Sequence, residues 1–153
     1  MPKEVAPLRE AVICSSLRTP VGRYGGALRD VDAETLAETA VRAVLSRSGL
    51  DPAAVDDCIF GQCYPGGENP AIGRIAALAA GLPVEVAGAQ LDRRCGSGLQ
   101  AICLAAMQVQ TGVADVILAG GVESMSNAEF YATTVRWGPN RGNVSLVDRL
   151  NRA

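Results

Sequence analysis

Leu91-Asp92-Arg93-Arg94-Cys95-Gly96-Ser97-Gly98-Leu99-Gln100-Ala101 is the stretch that decides how this chain is read. The apolar run at 84–91 predicts a strand, and from 96 to about 110 almost every residue is apolar or small, which predicts a helix buried on most sides. Cys95 therefore falls at a strand-to-helix turn, where α/β sheets place their sites. A thiolate there would face the open N–H groups and positive pole of the helix, with two arginines adjacent, and both effects favour the anion. Gly96 and Gly98 clear the space a substrate carbonyl needs and leave backbone N–H groups for a developing oxyanion. A cysteine that merely fills space fits the same residues. On physical grounds alone both readings stay open for Cys95. Cys14, Cys58 and Cys103 fall inside expected strands or the helix and read as packing residues.

Working outward, glycine and proline divide the chain into alternating short apolar runs and longer helical stretches, the pattern of an α/β fold with parallel strands. A first strand is expected at 11–17. A turn follows around Gly22, Gly25 and Gly26, whose spacing is not that of a phosphate-binding loop. Asp32 stands as an N-cap, and Leu36, Ala40, Val41, Val44 and Leu45 share one helical face up to Gly49. A second strand is expected at 57–63, then a helix opened by Asn69-Pro70 and closed by Gly81 and Pro83. The run at 115–120 predicts a strand buried on both faces. Beyond 127 the sequence has no clear period, and Phe130, Tyr131 and Trp137 flank the run Gly138-Pro139-Asn140-Arg141-Gly142.

The 153 residues are 48% apolar and 20% charged, which suffices for one ordinary globular core and excludes disorder. A formal charge of −2 gives no basic surface for nucleic acid or anionic lipid. The start at Met1 has no apolar leader, no run approaches the ~20 residues of a bilayer span, and the five cysteines show no paired spacing. Free thiols, no metal site and a cytoplasmic location are the expectation. There is no histidine, so any Cys-His chemistry must recruit its imidazole from another chain.

Asp92 to Ala101 closely resembles the acylated-cysteine motif of the thiolase family. Three further blocks, in order, carry the same resemblance: Arg18-Thr19-Pro20-Val21-Gly22 with Gly25-Gly26-Ala27-Leu28; Asn69-Pro70-Ala71 through Arg74; and Gly120-Gly121-Val122-Glu123-Ser124-Met125-Ser126. The family more often has asparagine at the position of Asp92. The resemblance implies a three-layer α/β/α half-domain with a mixed sheet over 1–126, and the beginning of an inserted loop domain over 127–153. It also implies a last strand that arrives after the loop domain and enters the sheet beside the first, so this chain would leave that slot empty.

As function, the resemblance implies an acyltransferase in which Cys95 is the catalytic residue. Cys95 would take an acyl group from a 3-ketoacyl-CoA or acetyl-CoA and pass it to coenzyme A or a second acetyl-CoA. Coenzyme A thioesters would be substrates, and no metal or bound organic cofactor is implied. The family's histidine, second cysteine and asparagine motif lie in a C-terminal half, expected here as a separate polypeptide or as lost by truncation. Strand 84–91 is expected to build a homo-oligomer, with proline at Ala87 or Ala89 breaking it. Two alternatives stand beside this reading: a ketoacyl-synthase-type condensing enzyme, and a non-catalytic assembly subunit or truncated fragment. Arg93 and Arg94 could steer anionic coenzyme A or stand as solvated or ion-paired groups, and Glu123 could order the loop below the site or stand as a surface carboxylate.

Overall fold

The computed structural model describes residues 7–138 and 142–152; residues 1–6, 139–141 at the centre of the 138–142 run, and 153 lie outside the described residues. In chain order the elements are α1 (Ala33–Ser48), β1 (Asp57–Gly61), α2 (Ile72–Ala79), β2 (Ala87–Leu91), α3 (Ser97–Gln110), β3 (Ile117–Gly121), β4 (Phe130–Tyr131) and β5 (Val147–Asp148). β1, β2 and β3 form one parallel sheet in the order β2-β1-β3. This is the expected α/β fold. The antiparallel pairing is confined to β4 and β5, a separate two-stranded ribbon.

Three layers follow from the alternation of side chains along β1. Cys58 and Phe60 join Ala37, Val41 and Leu45 of α1 and Ile72, Ala76 and Ala77 of α2 in the main core. Gly61 faces the other way, against Ser97 of α3. The sheet is thus covered by α1 and α2 on one face and by α3 on the other. The approach of α2 is close: a Cβ on Gly73 would run into the carbonyl oxygens of Cys58 and Ala89, so no larger residue lets that helix sit on β1 and β2.

The helix α1 begins and ends as its sequence predicts. Asp32 Oδ1 accepts from Thr35 N–H at 2.7 Å, and Gly49, at φ +67°, donates its N–H to Leu45 O. A cap of this kind is worth about 1 kcal/mol.

Five expectations are corrected. The strand β3 is not buried on both faces: its first four residues are half-buried and Gly121 is exposed. The segment 11–17 is not a strand. It runs irregularly past the outer edge of β3, and Val12 and Ile13 are 72% and 78% exposed. A cavity of about 600 Å³ lies between it, β3 and α1, and the segment forms no ladder with β3. The segment is tied at its ends, by Arg9 N–H on Gln110 O and by Gly25 N–H on Ser126 Oγ.

The second helix does not start on an Asn69 cap. It starts at Ile72, after Ala71 in the left-handed region at φ +57°, and the Ile72 N–H is met by Gln90 Oε1 from β2 at 3.2 Å. A cross-element acceptor replaces the local one. The helix α3 is less buried than its composition predicts: only Ser97, Ala101 and Ala105 are buried, while Leu99 and Met107 are 69% and 54% exposed and Cys103 is exposed. One face meets the sheet and the opposite apolar face meets solvent. Cys14 likewise lies exposed in the irregular segment, outside any strand.

Candidate active site

The C-terminal ends of the parallel strands carry the site. The first turn of α3 is seated on them so closely that a Cβ at Gly61 would lie 2.5 Å from Ser97 Cβ and 2.6 Å from Gly98 N. A Cβ at Gly121 would lie 3.1 Å from Gly98 Cα. Glycines at 61, 98 and 121 are therefore what allow the helix N-terminus to reach the mouth of the sheet. The helix has Gly96 as its N-cap and no side-chain cap, which leaves the first-turn N–H groups open toward the site.

Cys95 stands exposed immediately before that cap. The preceding residue, Arg94, is held at φ +53°, a left-handed conformation that costs an L residue roughly 1–2 kcal/mol. Two side chains hold it there. Asp92 Oδ1 accepts from Arg94 N–H at 2.8 Å, and the Ser97 hydroxyl accepts from Arg93 N–H at 2.7 Å while donating to Arg94 O at 2.6 Å. An asparagine at 92 would offer the same acceptor, so the departure from the family's usual residue leaves the turn intact.

Beneath the turn, Cys63 Sγ lies 3.8 Å from Ser97 Oγ, and Glu123 accepts from Cys63 N–H at 2.8 Å and Tyr64 N–H at 3.3 Å. Glu123 is thus not a free surface carboxylate; it ties the loop after β1 to the end of β3. The two arginines are spoken for: Arg94 pairs with Asp92 at 3.6 Å, and Arg93 donates to Gln100 Oε1. Both are exposed, and a pair of this sort is worth about 0–1 kcal/mol. Cys95 and its glycines are legible in the sequence, whereas Ser97 as a bonding group is not; its only local signal is a Ser in the first helical turn, four residues after Arg93.

The other thiols differ in kind. Burial, with the charge of Asp57, pushes the Cys58 thiol up to about 12. Burial also pushes the Cys63 thiol up, helped by the charges of Glu123 and Asp92 and opposed by the Ser97 hydrogen bond.

With this geometry in view, the chain falls into the class of α/β folds that offer a cysteine at the N-terminus of a helix over the carboxyl ends of parallel strands. A family profile described as "Thiolase, N-terminal domain" matches residues 11–153, and the chain belongs to the thiolase family. It is 49% identical over 125 residues to the 3-oxoadipyl-CoA/3-oxo-5,6-dehydrosuberyl-CoA thiolase of Escherichia coli, covering 80% of this chain and 31% of that protein. It is 41% identical over 145 residues to the acetyl-CoA acetyltransferase of Schizosaccharomyces pombe, covering 94% and 36%. The crystal structure of the Bacillus anthracis acetyl-CoA acetyltransferase superposes with a TM-score of 0.90 at 38% identity, over 95% of this chain and 37% of that one. The chain spans about a third of the length of these relatives. No helix among the described residues is long and apolar enough to cross a membrane.

Exposure, together with the place of Cys95 before the uncapped start of α3, predicts an order of reaction with a small alkylating agent near neutral pH. Cys95 is labelled first, Cys14 and Cys103 next, Cys63 slowly, and Cys58 not at all while the fold persists. Because the Cys58 thiol titrates higher folded than unfolded, its contribution to stability is complete below the unfolded value near 9 and is lost as pH rises toward about 12. Labelling of Cys58 is therefore expected only in that alkaline window, together with unfolding. Peptide mapping by mass spectrometry after timed quenches reads the order; Cys14 or Cys103 ahead of Cys95 contradicts it.

Proposed function

We propose that this chain is the nucleophile-bearing portion of a thiolase, with Cys95 as the residue that is acylated by a coenzyme A thioester. The observation that carries the reading is Cys95 itself, exposed before the uncapped start of α3 inside a thiolase N-terminal domain. In the first step the Cys95 sulfur attacks the thioester carbonyl carbon and a new C–S bond forms. The oxyanion is met by the open amide groups at the start of α3, and the bond to coenzyme A breaks, its sulfur leaving as thiolate to be protonated by solvent. In the second step the sulfur of coenzyme A, or the α-carbon of a second acetyl-CoA, gives up a proton to a base and attacks the acyl carbonyl, and the bond to Cys95 breaks with its sulfur leaving as thiolate. No bound cofactor enters either step.

The second step exposes what this chain lacks. Moving a proton at the α-carbon calls for a general acid or base, a contribution of typically ~10²–10⁴-fold, and the sequence has no histidine. Cys63 is held as a thiol by its surroundings and bonds inward to Ser97, which unsuits it as that base. The base is inferred to come from a C-terminal thiolase half, on the same polypeptide or on a separate one. The unpartnered face of α3, where Leu99, Cys103 and Met107 recur four residues apart and stand exposed, supports a further protein layer there. We assign 1–126 to the half-domain and 127–153 to the start of the loop domain, with the β4-β5 ribbon as its first pairing.

A homo-oligomer through β2 belongs to the same reading, since β2 is the edge of the sheet. Ala87 N–H donates to Asp56 O and Leu91 O accepts from Gln62 N–H, so the odd-numbered residues of β2 spend their backbone groups on β1. Gly88 and Gln90 face outward. Proline at Ala87 or Ala89 would therefore break the sheet itself rather than the dimer, and the sharper probe is amide exchange. Protected Gly88 and Gln90 amides are expected if the edge is paired between copies; exchange at coil rates, with a monomeric mass in solution, removes the interface.

The chain alone is expected to be acylated slowly at Cys95 by acetyl-CoA and not to turn over, whereas a C-terminal half added in trans restores thiolysis. A coupled thiolysis assay, with peptide mapping of the acyl group, tests both parts. Sustained turnover by the chain alone, abolished by Cys95→Ser, would show that the essential base is present here; no acylation at Cys95 in either arm would leave the chain a non-catalytic assembly subunit.

A further inference from the structure

We propose that Ser97 is a positioning residue for Cys95, setting the direction in which the sulfur is presented; the inference rests on the reading of Cys95 as the reactive thiol. Ser97 is only 4% exposed, one of two buried polar side chains among the described residues. Its hydroxyl has one proton and two lone pairs, and all are placed. The proton goes to Arg94 O, one lone pair takes Arg93 N–H, and the other faces the Cys63 thiol at 3.8 Å. The Ser97 N–H also donates to Arg94 O, at 2.9 Å. Two backbone groups of the two residues before Cys95, Arg93 N–H and Arg94 O, thus converge on one side chain, and the Ser97 N–H adds a second bond to Arg94 O.

The turn needs such a hold. Arg94 at φ +53° is outside the conformations an L residue prefers, and its other support, the Asp92 carboxylate, lies at the exposed rim. Removing the Ser97 oxygen leaves Arg93 N–H without its acceptor and lets Arg94 relax toward negative φ, which rotates the following peptide and carries Cys95 away from the helix start. Glu123 works one step further out: by fixing Cys63 and Tyr64 it holds the thiol that lies against Ser97 Oγ. The brace therefore runs from the end of β3, through the loop after β1, to the Cys95 turn.

The test uses the five free thiols of the intact chain as its own controls. In Ser97→Ala, timed alkylation with iodoacetamide is expected to show Cys95 labelling slowed about tenfold relative to Cys103, the population change that corresponds to the αL cost of an L residue. Cys58 stays unlabelled if the fold is kept, and Ser97→Thr, which retains the oxygen, keeps the wild-type ratio. An unchanged Cys95-to-Cys103 ratio in Ser97→Ala with Cys58 still protected overturns the proposal. Should the alanine variant expose Cys58, the deciding measurement moves to the wild type: the Arg93 amide is expected to exchange well below its free-peptide rate, and exchange at the coil rate overturns the proposal. Neither readout involves acyl transfer, so Cys95 can fail as an acyl carrier while Ser97 still holds its turn.

Discussion

The closest backbone approach at the site, the first turn of α3 lying on the carboxyl ends of β1 and β3, is the constraint from which its geometry follows. It is possible only because Gly61, Gly98 and Gly121 present no side chains to one another. Helix and strands separated by ordinary side chains would stand further apart and leave a gap where Ser97 is now buried. Brought this close, Ser97 becomes an interior residue that bonds the turn ahead of it, and Cys95 is left at the open mouth with the uncapped helix start beside it. The same device recurs on the other face, where Gly73 and Gly88 let α2 descend onto β1 and β2. Buried alanines and glycines in place of large side chains are the common feature of both layers.

A division of labour follows from that architecture. The proposed nucleophile Cys95, the glycines around it and the open amide groups at the start of α3 are all local to one strand-turn-helix unit, so a single short stretch of chain encodes them. A base for the second step has to come from elsewhere in space. The absence of histidine from this chain, together with a span of about a third of its relatives' length, supports the proposal that acyl capture and acyl transfer are completed by different parts of a larger assembly. The solvent-facing apolar stripe on α3 and the cavity inside the 12–24 segment are the two places where this portion presents apolar surface beyond its own core.

Local rules were legible in the sequence and long-range ones were not. The Asp32 cap, the Gly49 stop, the apolar runs of the three strands and the turn at Cys95 each depend on residues within a few positions of one another. The strand expected at 11–17 depends on a neighbour to pair with, and its Val12 and Ile13, apolar enough to read as a strand, have none among the described residues. The Asn69 cap failed because Gln90, far along the chain, supplies the acceptor for Ile72. The burial predicted for α3 from its composition presumes apolar cover on two sides, and the sheet provides one. The bonds of Glu123 and Ser97 were not legible because their partners are backbone groups brought to them by the loop after β1 and by the turn, which no local pattern reports.

The claim that the glycine contact seats the site is tested most directly at Gly61, which contacts no substrate and bears no chemistry. In Gly61→Ala the added methyl meets Ser97 and Gly98, and forcing the helix outward is expected to cost about 1–3 kcal/mol of stability, as overpacking generally does. Chemical denaturation gives that figure, and alkylation of the same sample reports the site: Cys95 should lose its lead over Cys103 while Cys58 remains protected. Unchanged stability with Cys95 still labelled first would contradict the account, because the turn would then be presented by something other than the seat of α3 on the strand ends.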